Sequence, residues 1–447
     1  MFDLESNVTA WSDQLRSNGK LSEEDVMELE GHLREQVDEL IEKGLMEDEA
    51  FLISIKRLGN LNILSKEYSK VNIDDFWKQL LLDSDDPIAS KKSRRNVLLI
   101  VLFSLLAGTS IRLTTLLGVD IESLTFFKNL SFFILPLIVL FFGIMRGVSK
   151  KLISYVLGIF LVTAVIINLY PSYSPNHTEM LTGIHLPIML WMVTGVAYMG
   201  QKWRLGQERM NFIRFTGESI IYGSLIVLGS IVLMLFIVVI FETIAIDISD
   251  VVLNYIIIYG GCAVVMVTVY LAETKKSVVE NFAPILAKLF SPLFLVVMLA
   301  FLSVMVITGK SPFVDRDFLI GFDLMLVLVL GMVLYTISAR NIYHKSNIFD
   351  YLNVALIVTA IVVDTIALTA IISRLSVYGV SPNKLAALGE NILLFINLAG
   401  LLWLYIKYFK SKIEFSKIES WQTTYLSVYA IWMAVVVFVF PIIFKFQ

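Results

Sequence analysis

The chain has 447 residues, is 57% hydrophobic with a mean hydropathy of +0.76, and carries a formal net charge of −3. It is too apolar for an ordinary soluble enzyme. Its only cysteine, Cys262, rules out an intramolecular disulfide, a CxxC redox pair and a cysteine zinc site, and its histidines (His32, His177, His185 and His344) lack the HExxH spacing of a metal motif.

Charge is unevenly spread. Residues 1–90 hold 21 acidic and nine basic side chains, so the remainder is basic by about +9. An acidic segment of this kind is a poor ligand for nucleic acid or an anionic leaflet. With no apolar core in the first 30 residues, no cleavable signal peptide is expected, and the first span would serve as the insertion signal. Leu4, Val8, Trp11 and Leu15 predict a helix before Asn18-Gly19. Ser22, followed by Glu23-Glu24-Asp25, reads as an N-cap with acids in the first turn. Val26, Leu29, Leu33, Val37 and Leu40 then form one apolar stripe, and Gly44 is a natural C-cap. A third helix is expected from about Glu47 to Leu58, with Ala50, Phe51 and Ile55 inward, and a fourth near Leu61–Tyr68.

The run Glu28-Leu29-Glu30-Gly31-His32-Leu33-Arg34 through Asp38-Glu39-Leu40, then Gly44, Glu49-Ala50-Phe51 and Arg57-Leu58-Gly59, resembles the bacterial permease-prefix domain. The resemblance covers about 40 residues. It implies a bacterial cytosolic helical bundle, here over residues 1–71, with no catalytic role; a cytosolic or membrane protein partner for it belongs to the reading of the chain as a sensor. Residues 72–86 alternate Ile73, Phe76, Trp77 and Leu80–Leu82 with Asp74, Asp75, Lys78 and Gln79. Two readings fit: an interfacial amphipathic helix, or a face packed on the prefix bundle. Residues 72–95 thus read as an amphipathic, basic linker ending in Lys91-Lys92-Ser93-Arg94-Arg95, which by the positive-inside rule places the N-terminus in the cytoplasm.

From 96 onward the chain reads as an all-α membrane domain reaching residue 447. Eleven segments are long and apolar enough to cross a bilayer, at about 96–118, 127–146, 151–170, 178–200, 217–245, 250–271, 284–308, 318–338, 349–373, 388–407 and 423–445. Pro284 and Pro292 mark the seventh as a place where a helix breaks or begins. With the N-terminus inside, about 20 basic residues fall on the cytoplasmic side and 7 on the other, the asymmetry expected of a multi-pass bacterial inner-membrane protein with an extracytoplasmic C-terminus. Trp203, Trp403 and Trp421 are expected in an aromatic belt. Gly229, Gly260-Gly261 and Gly400 are expected at close helix contacts.

Ionisable groups within spans are costly and mark candidate sites. Asp364 is the sharpest, flanked by Ile361, Val362, Val363 and Ile366. Asp323, Glu242, Glu390, His185, Arg112 and Arg374 are expected with it in the outer half, and Asn397 shares a face with Glu390. The set reads either as a polar cavity binding a proton, cation or anionic group, or as pairs that lock helices together. No catalytic, metal or cofactor site is expected, since phosphate-loop, GxSxG and paired-histidine motifs are lacking.

The stretch Arg374-Leu375-Ser376-Val377-Tyr378-Gly379-Val380-Ser381-Pro382-Asn383-Lys384, with Tyr335–Arg340 and Asp350–Asn353, is similar to a bacterial polytopic family known only as domain-of-unknown-function family 4153. Lys384 stands where that family commonly has Arg. The resemblance implies a multi-span inner-membrane protein and brings no activity. Physically the loop fits a rigid outer turn: Gly379 permits positive φ, Pro382 restrains Ser381, and Ser381 and Asn383 compete as cap of the next helix. Tyr378, Gly379, Pro382, Asn383 and Lys384 could recognise an anion or merely fix two helices. The leading reading is a permease-like protein or transport-system component, followed by a membrane sensor whose prefix binds a partner, and third a lipid-processing enzyme.

Overall fold

The computed structural model describes residues 4–17, 23–42, 46–58, 87–243, 246–274, 276–308, 313, 316–340 and 346–447. Among them there is no strand. The chain divides into two compact units, residues 1–94 and 95–447.

The first unit contains α1 (Leu4–Ser17), α2 (Glu23–Glu42) and α3 (Glu47–Leu58). The expected stripe forms its core: Val26, Leu29, Leu33, Val37 and Leu40 pack with Val8 and Trp11 of α1 and with Ala50 and Phe51 of α3. Arg34 clamps this packing from outside, donating to both carboxylate oxygens of Glu5 at 2.6 and 2.9 Å and to Glu30 at 2.9 Å. The Arg34 hydrogen bonds hold the Glu5 carboxyl below the usual glutamate range. Its contribution is therefore present above that range and is lost as pH falls through the lowered value. His32 lies on the exposed face beside Glu35. Ser22, Gly44, the Leu61–Tyr68 helix and the 72–86 segment fall outside the described residues.

The second unit is the membrane body, and eleven of its helices are long and apolar enough to cross a bilayer. In chain order they are α4 (Pro87–Leu116), α5 (Leu124–Arg146), α6 (Lys150–Leu169), α7 (His177–Met199), α8 (Gly206–Thr243), α9 (Ser249–Thr274), α10 (Lys276–Thr308), α11 (Arg316–Ala339), α12 (Ile348–Tyr378), α13 (Pro382–Phe409) and α14 (Ser416–Ile443). α9 and α14 each contain one π turn, at Val252–Ile256 and Val435–Val439. Pro284 and Pro292 both lie inside one continuous α10. A membrane helix can carry proline where the local backbone finds other partners.

The helix ends follow local chemistry. Ser123 caps α5 by accepting from the Phe126 N–H, and Ser149 caps α6 in the same way. Asn347 and Asp350 form a reciprocal capping box that starts α12. Gly379, at φ 71°, ends α12. Extended Ser381 followed by Pro382 starts α13, and Ser381 makes no side-chain capping bond.

Two apolar cores fill the body. One gathers α11–α14 around Phe322, Val329, Leu356, Ala360, Leu398 and Leu401. The other gathers α5–α7 and α9 around Ile138, Phe142, Phe160, Leu186 and Met266. The start of α8 is the seam between them. Met210 and Ile213 enter the first core, while Phe212 and Phe215 enter the second. Beyond residue 223 α8 leaves both cores and presents exposed apolar side chains, including Leu225, Leu228, Ile231, Val232 and Leu235. In a bilayer such surface meets lipid at no hydrophobic cost.

The glycine expectations divide. Gly400 is a close contact: a Cβ there would lie 2.2 Å from the Trp421 ring. Gly229, Gly260 and Gly261 face open space, because α8 and this part of α9 lack a neighbour at those positions. Trp403 is exposed beneath Lys407, whose Nζ sits 3.4 Å from the ring centre. Trp421 instead turns inward from the expected belt and donates to Asn397. Gly400→Ala should therefore lower thermal stability in detergent by about 1–3 kcal/mol through overpacking against Trp421, whereas Gly261→Ala should leave the melting curve unchanged.

Candidate functional site

Polar residues of α7 and α11–α14 form several separate clusters within the body. At one end lie the basic residues that close successive helices, and here Arg340 grips α12. Its Nε and Nη2 donate to the two oxygens of Asp350 at 2.8 and 2.9 Å, and Nη2 also donates to the Tyr408 hydroxyl at 2.6 Å. Both members of the pair are buried, at 7% and 5% side-chain exposure. The Tyr335–Arg340 and Asp350–Asn353 stretches thus meet directly. Asn353, deeper on the same helix, donates to the Tyr405 hydroxyl at 3.0 Å.

The next level is an amide and aromatic knot. Asn397 is fully buried on α13. Its Nδ2 donates to the Tyr429 hydroxyl at 2.8 Å and to Gln422 at 3.4 Å, and its Oδ1 accepts from Trp421 at 2.8 Å. A side-chain amide in an apolar interior must make such bonds or bear the cost of an unmet polar group.

Asp364 departs furthest from that rule: Asn353 and Asn391 each leave one oxygen unmet, whereas Asp364 leaves two. It is fully buried, and among the described residues neither carboxylate oxygen has a hydrogen-bond partner. At 1.5 Å rise per residue it sits about 24 Å from the start of α12 and about 21 Å from its end, the middle of the helix. Tyr429 on α14 and Asp323 on α11 lie within electrostatic reach of it. Asp323 accepts from Asn391 Nδ2 at 3.0 Å, while the Oδ1 of buried Asn391 is unpartnered. Beside Asn391, Glu390 bonds to His185 Nε2 on α7. The other ring nitrogen of His185, Nδ1, lies 2.8 Å from the Leu181 carbonyl oxygen. A carbonyl only accepts, so Nδ1 carries a hydrogen. The Nε2–carboxylate bond then requires a second proton, held on one side or the other.

The remaining candidates lie apart. Arg112 donates to Asn254 at 2.8 Å and stacks on Tyr255, both on α9. Glu242 is exposed beside a cavity of about 500 Å³ that Asp247 and Ser249 also line. Arg374 lies over the ring of Tyr378 at 6.0 Å. In the turn after α12, Lys384 folds back to donate to the carbonyls of Gly379 at 2.8 Å and Tyr378 at 3.3 Å. Asn383 reaches across to His177 Nδ1 at 3.3 Å, tying α13 to the start of α7, and Pro382 is buried. In this arrangement the turn's cation and amide hold its own backbone and a neighbouring helix.

Asn391, Gln422, Trp421 and Tyr429 were not among the candidates read from sequence. The available signal was a set of amides inside apolar spans, with Gln422 and Tyr429 seven residues apart on one helix face. No family model, curated protein or solved structure matches this chain.

Because Asp364 loses no hydrogen bond on substitution, Asp364→Asn should leave the melting temperature in detergent unchanged or raised. Asp350→Asn, which strands buried Arg340, should lower stability by about 3–5 kcal/mol in the same measurement.

Proposed function

We propose that this integral membrane protein is permease-like, or the membrane component of a transport system, with Asp364 as its carrier of a proton or small cation. One observation carries the reading: a fully buried carboxyl at mid-helix whose two oxygens have no hydrogen-bond partner among the described residues. An ionised carboxylate is costly there, and Asp323 is a second acid rather than a counter-ion. A charge-balancing proton or cation removes that cost, and reversible loading of such a group is the working step of many membrane carriers. The bland alternative, helix locking, suits Arg340–Asp350 and Lys128–Glu179, which are closely paired. It does not suit Asp364.

The end bearing Arg146, Arg214, Arg340 and Lys407 is proposed to face the cytoplasm of a bacterial cell, with the Gly379 turn and the C-terminus outside. A second reading, a membrane sensor, draws on the first unit. Its three helices enclose their own core and leave an acidic surface for a protein partner.

Hydrophobic carbodiimides modify protonated carboxyls in apolar surroundings. In proteoliposomes, Asp364 should form the adduct, as read by peptide mass spectrometry, and Asp364→Asn should abolish both the adduct and any proton flux reported by a lumenal pH dye. An unmodified Asp364 at every pH would sink the reading. Removing residues 1–85 should leave flux intact, whereas loss of only a captured partner would favour the sensor. Single cysteines at Ser411 and Val380, in a Cys262→Ser background, should react with an impermeant thiol reagent from opposite sides of the membrane.

A further inference from the structure

We propose that Asp364 exchanges its proton with both faces of the membrane body. Toward the basic end it does so past Tyr429, Asn397 and Gln422 into a cleft between α8 and α14. Toward the opposite end it does so through Asp323, Asn391 and the His185–Glu390 pair. This rests on the carrier reading of Asp364. It adds the identity of the cargo, a proton, and the two ways in.

The basic-end branch begins in a cavity of about 440 Å³. Gln207, Asn211 and Arg214 line it from α8, and Ser416, Glu419 and Thr423 line it from α14. Arg214 is braced by donating to the Ser338 carbonyl, which keeps its guanidinium beside the cleft. Glu419 lies within electrostatic reach of Arg214 and Arg340. Along α14, Gln422 is three residues above Glu419 and Tyr429 is seven further, so all three fall on nearly one face. Gln422 is hydrogen-bonded to Asn397, and Asn397 to Tyr429. The Tyr429 hydroxyl accepts from Asn397, which leaves its own hydrogen free of that bond; Asp364 lies within electrostatic reach but makes no hydrogen bond to it.

The opposite branch starts at Asp323, which lies within electrostatic reach of Asp364 and accepts a hydrogen bond from Asn391. Glu390, next to Asn391, lies within electrostatic reach of Asp323 and is half-exposed, at 31% of its side chain. The His185–Glu390 contact requires a proton beyond that of a neutral imidazole and a carboxylate, so a transferable proton is held at this end. Among the described residues, Asp323, Glu390 and His185 are titratable groups on the opposite branch, and Tyr429, Tyr425 and Glu419 on the basic-end branch.

The chemistry involves no electron transfer. The O–H bond of the Asp364 carboxyl breaks, its electron pair stays on the carboxylate, and the proton leaves along water admitted to the polar seam. The reverse step reloads it from the other side. The amides of Asn391, Asn397 and Gln422 hold and orient water and do not themselves ionise.

The test uses the full chain in proteoliposomes of known orientation, with pH set separately on the two sides and Asp364 reactivity toward a hydrophobic carbodiimide as the readout. In the wild type the adduct yield should follow the pH of both sides, changing by up to about tenfold per pH unit where the carboxyl is mostly ionised. Gln422→Leu should lose the response to pH at the basic end and keep the opposite one. Glu419→Gln, at the cleft rim and outside the buried knot, should weaken the same response without loss of folding. Glu390→Gln should show the converse pattern. Wild-type labelling that follows both sides, with all three variants unchanged, would overturn the route while leaving the carrier reading standing. Labelling that never occurs would remove both. Labelling suppressed by sodium at constant pH would overturn the proton as cargo.

Discussion

The organisation of the membrane body depends on the cost of an unmet polar group away from water. Each buried amide, hydroxyl or charge must find a partner within the protein, because lipid offers none. Buried hydroxyls such as Thr182, Thr194 and Thr359 meet it on their own helix, and several amides and charges meet it across helices. Arg340 and Asp350 join α11 to α12, Asn397 joins α13 to α14, and Lys128 with Glu179 joins α5 to α7. These bonds set the rotation of helices whose apolar surfaces alone would pack in many registers.

Against that background Asp364 stands out by what it lacks. Its neighbours are the right kind for proton traffic and the wrong kind for a static ion pair: an acid, a phenol and amides. The branch toward Gln422 and the branch toward Glu390 differ in character. One is a tightly bonded knot closed by Trp421. The other contains an imidazole–carboxylate contact open to the surface on its Glu390 side. On the proposed carrier reading the two approaches must be unequal at any moment, and the bonded knot is the closed one of the two.

The eleven spans were legible because hydropathy over about 20 residues reports the solvent a helix must face. So was Asp364, whose apolar flanks make a lone carboxyl conspicuous. The partnerships were not. Arg112 and Arg374 looked available for that carboxyl, yet the first is held by Asn254 and Tyr255 and the second lies against Tyr378. Such choices depend on helix rotation and tilt, which sequence periodicity constrains only to a face. Trp421 shows the same limit. Its position near a helix end predicts an interfacial ring, but the absence of a side chain at Gly400 opens the space that draws it inward. Gly229 and Gly260-Gly261 mislead in the opposite sense, because a small residue permits contact without supplying a neighbour.

The two-faced start of α8 has a mechanical consequence. This helix is 37 residues long over its apolar range, about 55 Å, against a hydrocarbon thickness of about 30 Å. It is gripped by both cores at one end and bathed in lipid along the rest. A helix clamped in this way is a lever with two arms of similar length, about 26 Å among the cores and about 30 Å beyond them. A bilayer of different thickness would be met by tilting of the free arm or by local deformation of the lipid, and because both cores hold the other arm, tilting would load both halves of the body together.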